Sequence, residues 1–449
     1  MVSRERRRRV LRATQVIAIS FAAVIFFGAL LLMLPFASKS GESCGFMTAI
    51  FTATSATCVT GLIIVDTLTA WTLFGQVVIL LLIQLGGLGF MTIIFLLALL
   101  VKQKLSLSQR LTAASSFNLD DTSDIAHLVI GALKTTFVFE GAGAMILTAC
   151  FWPRYGIGAI WKGVFTAVSA FCNAGFDIFG TDKIGSLSTY DGNPVVILTV
   201  TALIACGGLG FFVWEEIKSK RGLRGLSLYS KMVLFMTAAL LLLGTLFFFF
   251  SEWDNPHTLG PMPVWKGLLN ALFQSTTLRT AGFYSISQGA LTDVSLVMCI
   301  LLMLVGGSSG SCAGGLKTGT VGVLLLALRS GLQGRDVVTF RGRTIPDQKV
   351  LSAMTLMLVF VFLFIAASMG IAIVDDVPYL AAAYETASAM ATVGVTTGIT
   401  PELSTVSHII LILLMYLGRV GVLSLSLAFM TQKKAHSKIN YPHADVMIG

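Results

Sequence analysis

Four short runs in this 449-residue chain end in glycine after small or hydroxyl-bearing residues: Val59-Thr60-Gly61, Asn173-Ala174-Gly175, Thr280-Ala281-Gly282 and Thr392-Val393-Gly394. None sets a nucleophile beside a base, and none spaces acids, imidazoles or thiols as a metal site would. What such runs supply is main-chain oxygen. Glycine adopts backbone conformations that turn carbonyls inward without a Cβ clash. Rings of such carbonyls replace the water around a bare monovalent cation. The glycines lie 114, 107 and 112 residues apart, so the chain reads as a fourfold repeat. Four copies in one chain can surround one axis, which predicts a cation pore made by internal repetition.

Only the last run keeps Thr392-Val393-Gly394, the triplet at the core of potassium-channel filter loops. The other three substitute Val-Thr, Asn-Ala and Thr-Ala ahead of the glycine. A filter built from them is fourfold only approximately, with fewer well-formed sites than a strict tetramer and looser discrimination against sodium.

The elements that must hold these loops follow from composition. Hydrophobic residues make up 55% of the chain and charged residues 12%. Apolar runs at 14–34, 72–101, 195–213, 233–250, 351–374 and 408–430 reach or approach the ~20 residues that span a bilayer. The fold class expected is an all-α polytopic membrane protein. It has four repeats of helix, pore helix, loop and helix (eight transmembrane helices) around one pseudo-fourfold pore. The outer helices are placed at 13–34, 125–152, 228–251 and 347–374, and the re-entrant pore helices at 44–56, 161–171, 263–277 and 378–390. The inner helices are placed at 71–101, 194–217, 290–330 and 403–431. Pore-helix pieces too short to span survive at membrane depth only when buried in protein or lining water. The chain divides into a basic N-terminus (1–12), repeat one (13–101), repeat two with its preceding loop (102–217), repeat three with a broken inner helix (218–330), repeat four (331–431) and a tail (432–449). Glycine clusters at 86–89, 207–210, 306–310 and 418–421 follow the filter glycines by 25, 32, 24 and 24 residues. Generic packing explains one such cluster but not four in phase.

The net charge of +9 is read by location. Arginines crowd 4–12, and basic residues recur at 102–110, 218–231, 329–349 and 433–438, whereas the alternate loops carry much of the acid. The positive-inside rule therefore places both termini in the cytoplasm. An arginine run beside an apolar span is a topology signal, so no nucleic-acid partner is expected. The N-terminal apolar region is too long for a cleaved leader. The seven cysteines show neither disulfide nor metal spacing.

Charged residues inside apolar segments need partners. Arg279 beside the third filter is read as a strut bonding filter carbonyls or an acid. Glu385, in the fourth pore helix, is read as its anionic partner, a cation attractor near the mouth, or a solvated vestibule residue. Glu140, on the second outer helix, is read as bonded to a neighbouring helix rather than coupling protons. The sixth apolar span is interrupted by a loop containing Gly306, Gly307, Ser308, Ser309, Gly310, Ser311, Gly314, Gly315 and Lys317. Leu316 separates Gly315 from Lys317 and no strand precedes them, so a phosphate loop is disfavoured and a movable plug preferred. Arg419, at equivalent depth in the fourth inner helix, is expected to hydrogen-bond that plug and raise a barrier to cations.

These residues closely resemble the Trk/Ktr/HKT superfamily of potassium transporters, in particular the membrane subunit of bacterial Ktr systems (KtrB/KtrD type). The resemblance covers essentially the whole chain. It rests on the four filter runs with their flanks, on Ile83-Gln84-Leu85-Gly86-Gly87-Leu88-Gly89-Phe90, on Thr400-Pro401-Glu402-Leu403 and on Leu417-Gly418-Arg419-Val420-Gly421. It implies potassium uptake across a bacterial plasma membrane through one pore per chain, often with sodium dependence. It also implies an intramembrane gating loop at 306–317, a homodimer in which the tail 441–449 makes contacts, and a cytosolic RCK-type nucleotide-binding ring. The nucleotide would then sit on that partner, and this chain would carry potassium, with sodium as the second candidate cargo, and no bound cofactor. Some plant relatives that resemble this family and pass sodium carry serine at the first filter glycine. Gly61 favours potassium here.

Two other classes compete. A potassium symporter coupled to sodium or protons would cycle by alternating access around inverted repeats; here all four repeats share one orientation. A membrane enzyme would need catalytic motifs that the sequence lacks. Basic cytoplasmic loops at 218–231 and 335–349 suit either a docked partner or anionic lipid.

Overall fold

The computed structural model describes residues 13–89, 125–180, 185–220, 222, 225–335 and 337–421. The expected basic N-terminus, the far parts of the first and fourth inner helices, and the C-terminal tail lie outside the described residues.

The described residues are mostly helical. The first quarter holds α1 (Ala13–Leu32), α2 (Phe46–Thr57), the single turn α3 (Thr67–Ala70) and α4 (Leu73–Leu88). The second holds α5 (Ile125–Tyr155), α6 (Gly158–Phe171), α7 (Pro194–Gly208) and α8 (Phe211–Ser219). The third holds α9 (Leu228–Ser251), α10 (Val264–Thr277), α11 (Asp293–Leu304) and α12 (Thr318–Leu332). A small antiparallel hairpin, β1 (Thr339–Phe340) and β2 (Arg343–Thr344), leads into α13 (Asp347–Asp375), α14 (Tyr379–Met390) and α15 (Thr405–Val420).

Among the described residues, four helices are long and apolar enough to cross a membrane: Gln15–Leu32, Val129–Tyr155, Leu228–Ser251 and Asp347–Asp375. α7 and α8 form a further candidate, bent by 91° between them. The surfaces of these helices expose Phe27, Phe137, Phe235, Leu242 and Phe362. Backbone polar groups satisfied within helices, with apolar side chains outward, suit a protein dissolved in lipid.

Each helix that follows a filter run begins on a side-chain cap. Thr72 accepts from Gly75 N–H, Asn193 from Val195 and Val196 N–H, Thr292 from Ser295 N–H and Ser404 from Ser407 N–H. A cap of this kind is worth about 1 kcal/mol.

The second inner helix, expected as one piece over 194–217, is broken at its glycine cluster, as the third was expected to be; the first and fourth are described only as far as Gly89 and Gly421. α4, α7, α11 and α15 end at Leu88, Gly208, Leu304 and Val420, at the glycine clusters. Gly89, Gly210 and Gly421 follow with φ of +80°, +88° and +90°, left-handed values that interrupt a helix, and after Gly210 a new helix, α8, starts at Phe211.

The packing order is cyclic. α4 packs on α6, α7 on α10, α11 on α14 and α15 on α2, so the helix after each filter run supports the short helix of the next quarter. The last of these contacts joins the two ends of the described chain. Glycine lets three of the supporting helices also press on the short helix of their own quarter. A methyl group on Gly86, Gly207 or Gly418 would overlap the carbonyl oxygen of Thr57, Phe171 or Met390, respectively. Those carbonyls belong to the last residues of α2, α6 and α14.

Candidate cation pathway

The four runs meet. A methyl group on Gly61 would stand 2.6 Å from the Ala174 carbonyl oxygen, one on Gly175 2.9 Å from that of Ala281, and one on Gly282 2.7 Å from that of Val393. One on Gly394 would overlap the carbonyl oxygen of Thr60. Each glycine therefore faces the residue before the next glycine, and the fourth returns to the first.

The loops share one backbone form. Val59, Asn173, Thr280 and Thr392 have φ of +57°, +60°, +67° and +53°, and the glycines two residues later have +101°, +71°, +81° and +94°. Left-handed values at β-branched residues are rare and cost of order 1–3 kcal/mol each. Short-helix ends hold them there. Thr60 N–H donates to Ser55 O (2.8 Å), Ala174 N–H to Ser169 O (2.7 Å), Ala281 N–H to Thr277 O (2.9 Å) and Val393 N–H to Ser388 O (2.7 Å). Side chains brace the next residues. Gly61 and Gly394 N–H donate to the hydroxyls of Ser55 and Ser388, both at 3.0 Å. The hydroxyls of Ser169 and Thr277 donate to the carbonyls of Phe176 and Phe283. Sequence reasoning missed these braces. The signal was a hydroxyl six residues before each glycine (Ser55, Ser169, Thr276, Ser388), although in the third copy Thr277 does the work.

The interrupted loop lies directly against this ring. Gly314 abuts Thr392, so closely that a methyl group on it would overlap the threonine hydroxyl, and Gly315 abuts Ala391. The loop's neck is closed by Gly306 N–H to Leu316 O (2.9 Å) and Thr318 N–H to Gly307 O (2.9 Å). Its body docks on the open end of α7. Ser308 N–H donates to Gly208 O (3.1 Å), Cys312 N–H to Gly207 O (3.2 Å), and the Ser308 hydroxyl to Leu209 O. Gly310 O accepts from Phe211 N–H (3.0 Å), the first residue of α8. Ser309 N–H reaches the Tyr229 hydroxyl at 3.0 Å, Ser311 Oγ donates to Ser308 O (2.7 Å), and Lys317 Nζ donates to Ala313 O (2.6 Å). The bend between α7 and α8 is thus a cradle for the loop.

Arg419 clamps the loop from the opposite side. Its guanidinium donates to Cys312 O in the loop and to Gly86 O, with Gly87 O at 3.3 Å. One side chain ties α15, the loop and the end of α4 together.

Arg279 is placed differently from the strut expected of it. Its side chain is 8% exposed, lies with Ile204, Ala205, Gly208, Leu241, Thr276 and Gly307, and its Nε has no hydrogen-bond partner. The register explains this. The residue three before a filter glycine faces the glycine cluster or the interrupted loop of the preceding quarter, as Cys172 does at Gly87 and Ala391 at Gly315.

Glu385 is neither the partner of Arg279 nor a solvated group. Fully buried, it accepts from Thr396 Oγ1 (2.7 Å), Thr397 N–H (2.9 Å), Thr397 Oγ1 (3.1 Å) and Thr400 Oγ1 (2.6 Å). It pins the chain that leaves the fourth filter run. Glu140, 5% exposed, accepts from Gln84 Nε2 (3.3 Å) on α4 and from the Cys172 thiol (3.7 Å). It joins a neighbouring helix, through an amide rather than a cation.

A helical, lipid-facing chain that gathers four carbonyl-bearing loops at one point is built like a membrane transporter for ions. Comparison with known proteins agrees. The family model described as TrkH, cation transport protein, matches residues 3–438. The chain is 40% identical over 454 residues to the potassium/sodium uptake protein NtpJ of Enterococcus hirae, covering 100% of both chains. It is 37% identical to the Ktr system potassium uptake protein B of Bacillus subtilis, covering 97% of this chain and 96% of that one. The crystal structure of the potassium transporter TrkH from Vibrio parahaemolyticus superposes with a TM-score of 0.74 over 96% of this chain and 87% of that one; at 16% identity this likeness speaks to fold alone. The chain belongs to the TrkH family of cation transport proteins, a family of transporters and not of enzymes, and is of the Trk/Ktr type. It is a multi-pass membrane protein.

Proposed function

We propose that this chain is the pore-forming subunit of a potassium uptake system of a bacterial plasma membrane. In this reading eight transmembrane helices, including those completed outside the described residues, surround one pore, with both termini cytoplasmic. The observation that carries the reading is the closed relay in which each filter glycine meets the carbonyl preceding the next.

The chemistry follows from that relay. Thr60, Ala174, Ala281 and Val393, with Val59, Asn173, Thr280 and Thr392 behind them and the four glycines ahead, offer stacked carbonyls to a dehydrated potassium ion. α2, α6, α10 and α14 end at the same place, and the carbonyl end of a helix carries about half a negative charge. The field at the ring therefore favours a cation before any side chain contributes. Because three of the four runs lack Thr-Val-Gly, discrimination against sodium is looser, and sodium acts as a regulator or lesser cargo. The name of the Enterococcus relative accords with that.

The loop 306–317 is the gate in this reading. It presents glycine and serine to the ring and is held by Arg419, whose positive charge opposes cation passage until the clamp releases. Release is driven by a homodimer's cytosolic RCK-type ring, which carries the nucleotide.

The test is rescue of potassium-limited growth in uptake-deficient cells, with and without an RCK-type subunit. Rescue that depends on potassium and is strengthened by the partner is expected. No rescue by a chain shown to reach the membrane, with or without the partner, overturns the assignment. Uphill movement of potassium driven by an imposed sodium or proton gradient assigns a coupled symporter instead.

A further inference from the structure

α9 ends at Ser251, and the chain turns through a loop before α10 begins at Val264. Between the two helices lies a crevice of about 340 Å³ whose lining includes Phe249, Trp253, Asp254, Pro256, Pro261 and Val264. Its lining includes no residue of the filter runs or of the loop 306–317. Its walls are of two kinds. Trp253 and Phe249 form a T-shaped pair with ring centroids 4.9 Å apart, and the prolines and valine extend that apolar lining. Asp254 adds one carboxylate. It is exposed, and no hydrogen bond or ion pair engages it among the described residues.

The crevice is preformed. Glu252, fully buried, accepts from Asn255 Nδ2 (2.6 Å), Thr258 Oγ1 (2.7 Å), Thr292 Oγ1 (2.8 Å) and Thr292 N–H (3.0 Å). Asn255 Nδ2 also donates to Ala290 O (2.9 Å), and Asn255 O accepts from Gly260 N–H (2.9 Å) and Thr258 N–H (3.2 Å). This polar frame fixes the loop that forms one wall, so a ligand meets a surface already shaped.

Position narrows the ligand. The crevice sits at the end of a membrane-length apolar helix, and Trp253, Val264 and Trp265 around it are 45%, 60% and 56% exposed. Tryptophan at such an end marks the level of lipid headgroups. An aromatic belt alone needs neither a concavity nor a carboxylate. An indole face beside an unpaired acid is the chemistry that holds an ammonium group, through cation–π attraction and charge. The same acid repels phosphate-only and other anionic headgroups.

We propose that this crevice binds the ammonium headgroup of a membrane lipid, with the cation between Trp253 and Asp254 and the acyl chains along exposed apolar residues of α9 such as Phe250. The proposal rests on the membrane placement of the chain and not on the pore or its cargo.

Native mass spectrometry of the purified full-length protein tests it. Phosphatidylethanolamine and phosphatidylglycerol of matched acyl chains, and free ethanolamine, serve as probes. Phosphatidylethanolamine should be retained about fivefold or more over phosphatidylglycerol. Asp254→Asn should remove that preference without changing phosphatidylglycerol retention, and Trp253→Leu should weaken phosphatidylethanolamine retention. Equal retention of phosphatidylethanolamine by the native chain and Asp254→Asn overturns the proposal. So does free ethanolamine that displaces the lipid at equal concentration, since that result assigns a soluble amine.

Discussion

Gly394 and Thr60 are in contact where the ring closes, the glycine Cα facing a carbonyl oxygen of the first run. No side chain fits between them. Gly394→Ala adds a methyl group where an oxygen stands, at a φ of +94° that alanine disfavours. Potassium or rubidium uptake should fall at least tenfold while membrane insertion persists. Uptake near the native level would show that the ring is not the conduction path.

Gly282 gives a milder probe of the same ring. Gly282→Ser should lower potassium-over-sodium discrimination, read as sodium inhibition of rubidium uptake. Unchanged discrimination would separate Gly282 from the selectivity determinants.

The Arg419 clamp predicts a gain rather than a loss. Arg419→Ala removes the donor to Cys312 O, Gly86 O and Gly87 O and deletes the local positive charge. Flux should rise several-fold and become less responsive to the regulatory partner, whereas Arg419→Lys, which keeps the charge but not the fork, should fall between. Unaltered flux in the alanine variant would remove Arg419 from the gate.

Glu385 tests the outer support. Glu385→Gln places an amide NH₂ among four donors from Thr396, Thr397 and Thr400, so at least one of these charge-assisted bonds must reverse or break. A loss of about 1–3 kcal/mol is expected. It should show as lower thermal stability of the purified protein and weaker apparent affinity for potassium.

Glu252 predicts a pH dependence. Burial raises its pKa, but hydrogen bonds from Ser295, Thr258 and Thr292 outweigh burial and hold it below its ordinary 4.5. A carboxylate depressed by folding stabilises the native state above its unfolded pKa, and that contribution disappears as pH falls through the folded value. The native chain should therefore be more heat-stable than Glu252→Gln at neutral pH, and the gap should shrink below about pH 4.5. A gap that stays constant through that range would mean that the ionised form is not what stabilises the loop.

Much of this arrangement was legible in the sequence because it is written four times. The filter glycines, their spacing and the phased clusters needed no contact information. The break in the second inner helix and the glycine bends after Leu88 and Val420 were not legible. Gly86-Gly87-Leu88-Gly89 reads as tolerable helix, and only the left-handed backbone at Gly89 shows that the third glycine interrupts it. Arg279 was misread because its neighbours in sequence are filter residues, whereas its side chain reaches Ile204, Ala205 and Gly208 in the preceding quarter. The partners of Glu385 were not legible because Thr396, Thr397 and Thr400 lie beyond the filter run, and hydroxyl ligands leave no charge pattern.

The cyclic support of each short helix by the preceding quarter bears on biosynthesis. α2 emerges early yet meets α15 only when nearly the whole polypeptide has been made. Until then the carbonyl ends of the nascent hairpins face an unfinished seam, and local helices must wait for one long-range docking event. Loss of the final quarter should therefore leave no smaller working unit, only an open horseshoe for quality-control proteases to clear.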